Sequence, residues 1–185
     1  MGEQHKKHSR REHLNDFHLN VAGEYVYDGA LYACQNDDAK QRRSKRAVWG
    51  MAAILTVAGA AGGCIPAPGM QNCFYVLLPY LGEFLGAASV IWALAKLGMD
   101  WGTVREYNYK KSVAVLPVRT AVTAVFSLLG IVCELIFFFV NDHAGQTFFA
   151  LLYVLLKLIA LLSVLVLRAE IMQAEWDKLP KKNNF

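Results

Sequence analysis

The sequence predicts an all-α integral membrane protein with four transmembrane helices arranged as two antiparallel hairpins. Three observations predict it. Four apolar runs are each long enough to cross a bilayer. The basic residues crowd into alternate connecting segments. Away from their ends, the runs carry charge at three positions only, Glu83, Glu134 and Lys157. A chain of 185 residues that is 55% hydrophobic, with mean hydropathy +0.27 and net charge +4, fits this division into apolar spans and charged aqueous segments.

The first run is Ala47 to about Ile65, ended by Pro66 and Pro68. The second is Cys73 to Leu97, the third Thr120 to Val140 and the fourth Phe148 to Leu167. Each has roughly 20 residues or more, enough for a helix rising about 1.5 Å per residue to cross about 30 Å of hydrocarbon. Lipid offers no partner to free backbone N–H and C=O groups, which selects helices. A transmembrane barrel needs shorter segments of alternating polarity, and these runs do not alternate. Three regions follow: a basic N-terminal segment over 1–46, a four-helix transmembrane domain over 47–167 and a C-terminal tail over 168–185.

Orientation is read from the basic residues. Nine of the 19 Lys and Arg lie in residues 1–46. Lys96, Arg105, Lys110, Lys111 and Arg119 lie at or between the second and third runs, and Arg168, Lys178, Lys181 and Lys182 follow the fourth. The segments 66–72 and 141–147 have none. Positive charge is retained on the cytoplasmic side, so both termini are expected in the cytoplasm, with the plasma membrane as the location. Trp49, Trp92, Trp101 and Trp176 fall near the same boundary and are expected to act as interfacial anchors. With outer loops this short, a large extracellular recognition surface is not expected. No secretory signal is expected either, because the first apolar run follows 46 mostly polar residues. Lys6 stands where a myristoylation signal needs Ser or Thr.

The N-terminal residues 1–20 read as a solvated basic tail, with an interfacial amphipathic helix through Leu14, Phe17 and Val21 as the alternative. Asp28-Gly29 signals a turn, and helix is expected from about Ala30 to Arg46. Tyr25, Tyr27 and Tyr32 are expected to pack on the membrane surface or meet a partner, and the segment 98–117 to fold back on the same surface. His5, His8, His13 and His18 have irregular spacing, and a polar tail explains them without a metal. No cofactor and no nucleic-acid partner are expected, and no nucleotide-binding glycine loop, kinase or hydrolase signature is present.

Chemistry is expected inside the spans. An ionised side chain at bilayer depth costs at least about 2.5–3.5 kcal/mol, so such residues pair or line a polar path. Counted from the outer ends, Glu83 lies about 15 Å deep, Lys157 about 14 Å and Glu134 about 9 Å. Lys157 is thus expected to pair with one glutamate, leaving the other as an acid whose charged form burial disfavours. Such a set suits a proton or cation site, or equally a lock on helix register. Gly59 and Gly63, and Gly82 and Gly86 beside Glu83, have the spacing of close helix contacts. Pro79, one turn before Glu83, removes a backbone hydrogen bond and is expected to kink its helix.

Cys64 and Cys73 flank the first outer turn, where a disulfide could staple the hairpin. Three functional readings result. The first is transport of a proton-coupled or cationic solute, as a homo-oligomer or as the membrane subunit of a transport complex. The second is a non-catalytic scaffold that binds a partner through its cytoplasmic segments. The third is an outer-face thiol oxidoreductase, disfavoured because the second outer loop has no cysteine for relay.

Overall fold

The computed structural model describes residues 17–19, 23, 25–27, 29–98, 101–141 and 146–179. Four long helices dominate: α1 (Asp38–Cys64), α3 (Phe74–Leu97), α5 (Leu116–Val140) and α6 (Thr147–Met172). Two short helices join them, α2 (Pro68–Asn72) and α4 (Glu106–Lys111). By length and composition, all four long helices are apolar enough to cross a membrane. Their outward faces carry large exposed apolar residues such as Val57, Phe74, Leu85, Val125, Phe139 and Leu162, far more than a soluble surface displays.

The helices form one bundle. Around it α1 packs on α6, α6 on α5, and α5 on α3, with a lighter contact between α3 and α1. Gly98 closes α3 with φ 75°, its N–H donating to the Leu94 carbonyl, a positive-φ conformation that glycine adopts without a Cβ clash. Pro79 lies within α3, and the helix runs on without interruption from Phe74 to Leu97. Pro117 begins α5, where its missing N–H costs nothing. Two arginines tie the helices together at this end: Arg119 Nη1 donates to the Ser89 carbonyl at 2.6 Å, and Arg168 Nη1 donates to the Pro117 carbonyl.

Strand structure corrects the all-α expectation. β1 (Phe17–Leu19) pairs antiparallel with β2 (Tyr25–Tyr27), Phe17 opposite Tyr27. β3 (Leu31–Cys34) is the centre of a three-stranded antiparallel sheet, flanked by β4 (Thr103–Arg105) and β5 (Trp176–Lys178). The helix expected from Ala30 therefore begins only at Asp38. Leu31-Tyr32-Ala33-Cys34 is a half-buried apolar and aromatic run that suits a strand, and Asp37 and Asp38 then favour a helix N-terminus. Phe17, expected on an amphipathic helix, lies in β1 with its ring edge-on to Tyr27 at 5.3 Å. Leu14 and Val21 of that expectation lie outside the described residues, as do Asp28 of the expected turn and His5, His8 and His13.

The sheet caps one end of the bundle. Val48, Ala52, Val90, Leu94, Leu97 and Leu167 from the helices form one buried cluster with Trp101, Val104 and Leu116. Trp101 is only 4% exposed, which corrects its reading as an interfacial anchor: the indole is core, against Trp176 at 6.4 Å. Trp92 remains on the outside. Tyr32 stacks on Tyr109 with ring centroids 4.1 Å apart, so this tyrosine is consumed within the cap.

Candidate functional site

The centre of the bundle is polar, and helical spacing explains why. Tyr80 and Glu83 share a face of α3, three residues apart. Tyr153 and Lys157 share a face of α6, four apart, and Ser127, Gly130 and Glu134 share a face of α5. Each of these faces turns inward. Glu83 and Lys157 are 1% exposed, while Glu134, Tyr153 and Ser127 are wholly buried.

Lys157 Nζ donates to Glu83 Oε2 at 2.7 Å, a buried ion pair joining α6 to α3. The ammonium also lies 4.5 Å from the centre of the Tyr80 ring and 5.2 Å from that of Tyr153. The negative faces of both rings supplement the single carboxylate oxygen. Gly62 of α1 and Gly130 of α5 face this arrangement: a Cβ at either position would lie 3.9 Å from the Lys157 stem, an ordinary van der Waals contact.

Among the described residues, no cation forms an ion pair with Glu134. Its Oε1 accepts the backbone N–H of Gly69 at 3.4 Å. Gly69 belongs to α2, the short helix between α1 and α3, which turns into the bundle so that Ala67, Pro68 and Gly69 are buried. A side chain at position 69 would collide with the Glu134 carboxylate, so glycine is what admits this contact.

Among the described residues, four polar atoms in this interior have no hydrogen-bond partner: Glu83 Oε1, Glu134 Oε2, Ser127 Oγ and Tyr153 OH. Such groups are costly to leave without a partner. With both acids ionised against one ammonium the set carries an excess negative charge, which one proton or one monovalent cation neutralises. Among the described residues no three His, Cys, Asp or Glu side chains group to hold a metal.

The other sequence candidates divide. A Cβ on Gly82 would meet the Phe126 ring and one on Gly86 would meet Thr123, both of α5. Gly63 faces the Tyr80 hydroxyl, whereas a Cβ on Gly59 would meet nothing within 4 Å. Cys64 is exposed, Cys73 half-buried, and both are free thiols. Sequence reasoning missed Tyr80, Tyr153, Ser127, Gly62, Gly69 and Gly130. Spacing from Glu83, Lys157 and Glu134 marks Tyr80, Tyr153, Ser127 and Gly130; nothing in sequence marks Gly62 or Gly69.

Fold and site together define a bundle of four membrane-length helices closed around a buried acid, acid and amine set. No protein-family model matches the chain, and neither a curated protein nor a solved structure shows significant similarity to it.

Proposed function

We propose that this chain is a multi-pass membrane protein that moves protons, or a cationic solute coupled to protons, through the bundle interior. Its four long helices insert as two antiparallel hairpins, α1 with α3 and α5 with α6, with both termini and the sheet on the cytoplasmic side of the plasma membrane. The distribution of Lys and Arg supports that orientation, and the short connections at the α2 end support the hairpins. The protein acts as a homo-oligomer or as the membrane subunit of a transport complex, because four helices alone enclose little space.

The observation that carries the reading is a second buried acid beside an ion pair that is already neutral. Glu134 has an N–H donor on one oxygen and, among the described residues, no partner on the other. It is the proton-accepting group, nearest the α2 end. Lys157 and Glu83 hold opposite charges deeper in the bundle, able to exchange partners as the proton arrives. The scaffold reading is less favoured, since Tyr32 and Trp101 are spent on internal packing. The thiol oxidoreductase reading has no cysteine pair to support it, as Cys64 and Cys73 stand free.

The test is proton flux in liposomes loaded with a pH-reporting dye, driven by a potassium diffusion potential. The intact chain is expected to acidify or alkalinise the lumen according to the sign of the potential, and Glu134→Gln to reduce the rate at least about tenfold. Equal rates for the two chains, or no flux under either potential, would overturn the proposal.

A further inference from the structure

Where α1 and α6 leave the bundle, a cavity of about 230 Å³ opens between them, lined by Asn36, Lys40, Arg43 and Ser44 on one side and Glu170 and Gln173 on the other. It is large against the about 10–15 Å³ that one water molecule needs on the same measure. Ser44 is buried, and Asn36 and Glu170 are half-buried. Among the described residues, neither Lys40 nor Arg43 makes an ion pair, and Glu170 makes none either, although all three line the same space. Opposite charges are thus held around a cavity without closing on one another.

The level of the cavity identifies its surroundings. Arg43 and Ser44 come just before the apolar run that begins at Ala47, and Glu170 just after the run that ends at Leu167. With about 1.5 Å of rise per residue, the cavity lies about 5–10 Å beyond the apolar boundary, within the polar headgroup layer of a bilayer.

We propose that this cavity binds a phosphoethanolamine group, a phosphate ester carrying a primary ammonium, presented by a phospholipid of the adjoining leaflet. The Arg43 guanidinium offers a planar fork to two phosphate oxygens, and Lys40 adds a point charge and further N–H donors. Glu170 accepts N–H bonds from the ammonium. The Asn36 and Gln173 amides and the Ser44 hydroxyl supply neutral bonds to either end. A purely anionic headgroup meets the same two cations but is repelled by Glu170. A choline headgroup carries no N–H for Glu170 to accept. The proposal rests on the membrane insertion given above and on no transport step.

The test is retention of lipid by the full chain purified in mild detergent, read by native mass spectrometry with phosphatidylethanolamine, phosphatidylcholine and phosphatidylglycerol of matched acyl chains. Phosphatidylethanolamine is expected to be retained about tenfold over phosphatidylcholine, the size of one charge-assisted hydrogen bond. Lys40→Ala with Arg43→Ala should lower that retention about tenfold or more. Glu170→Gln should bring phosphatidylethanolamine down to the level of phosphatidylcholine and raise phosphatidylglycerol. Lys40 and Arg43 are exposed, so the variants should unfold at the same temperature as the parent. Equal retention of the three lipids, or a preference unchanged in the double variant, overturns the proposal. If free phosphoethanolamine displaces the lipid at equal concentration, the ligand is a soluble amine phosphate and the lipid assignment falls. A chain that never enters the membrane fraction refutes insertion itself, whereas an inserted chain without lipid preference refutes this site alone.

Discussion

Lys157 and Glu83 stand 74 residues apart in sequence and 2.7 Å apart in space, with both side chains almost wholly withdrawn from the surface. Neither charge is tolerable there alone. Removing one partner of a buried pair typically costs about 3–5 kcal/mol because the survivor is left uncompensated, while replacing both with apolar groups costs far less. Glu83→Leu and Lys157→Met should therefore each destabilise the bundle strongly, and the double variant should recover much of the loss. Thermal unfolding in detergent reads this cycle. Additive losses would mean that the two side chains do not act as a pair.

Gly69 and Glu134 form the second long-range link. A methyl group at position 69 meets both the Glu134 carboxylate and the Val76 side chain. Gly69→Ala should displace α2 from the bundle, break the N–H bond to Oε1 and cost about 1–3 kcal/mol. The displaced helix should also admit reagents. Labelling of Glu134 by dicyclohexylcarbodiimide should increase in Gly69→Ala and vanish in Glu134→Gln. Labelling unaffected by the substitution would separate α2 from control of this acid.

Much of the helical fold is legible in the sequence, because length, apolarity and charge placement act locally along each run. Glu83, Glu134 and Lys157 announce themselves as charges among apolar residues. The sheet does not, since Leu31–Cys34 finds its partners near positions 104 and 177, and four residues of modest strand character carry no trace of those pairings. Trp101 shows the same limit: a tryptophan at a boundary reads as an anchor until the sheet above it is known. Gly69 contributes a backbone N–H, a group that every residue but proline possesses, so its role depends wholly on where α2 settles.

The two glycine pairs share one spacing but not one environment. Gly86 has the backbone of Thr123 3.3 Å from where a Cβ would lie, and Gly82 has the Phe126 ring against it. Gly59 has open space. Gly86→Ala should push α3 from α5 and destabilise by about 1–3 kcal/mol. Gly59→Ala should be neutral, or stabilising by up to about 1 kcal/mol through helix propensity. Thermal unfolding of the two single variants checks the contrast, and equal losses would refute this packing.

Glu106 lies on α4 outside the long helices, with its carboxylate 2.7 Å from Lys110 Nζ. The lysine hydrogen bond holds its pKa below the ordinary glutamate range. A depressed folded value gives stability that is present above the unfolded value and lost as pH falls through the folded one. Acidification below the usual glutamate range should thus loosen α4 slightly, and Glu106→Gln should remove that pH dependence. The pair is exposed, so high salt should shrink the effect. Hydrogen exchange of the α4 amides across an acid series measures it; an identical series in Glu106→Gln would assign the dependence elsewhere.

Tyr153 separates a structural interior from a working one. Its hydroxyl is buried and, among the described residues, has no hydrogen-bond partner. Its ring, by contrast, does clear structural work beside the Lys157 ammonium at 5.2 Å. Tyr153→Phe keeps the ring and deletes only the unpaired O–H. Losing an unsatisfied buried hydroxyl is nearly neutral or mildly favourable, so unfolding temperature should hold or rise. If the hydroxyl passes protons between the two acids, liposome flux should fall at least about tenfold while stability is kept. If the polar interior only fixes helix register, flux and stability should both stay at the parent's values, and Glu134→Gln should leave flux intact as well. A variant that loses stability and flux together would show instead that the hydroxyl has a structural partner in the membrane, and the proton route would then have to bypass α6.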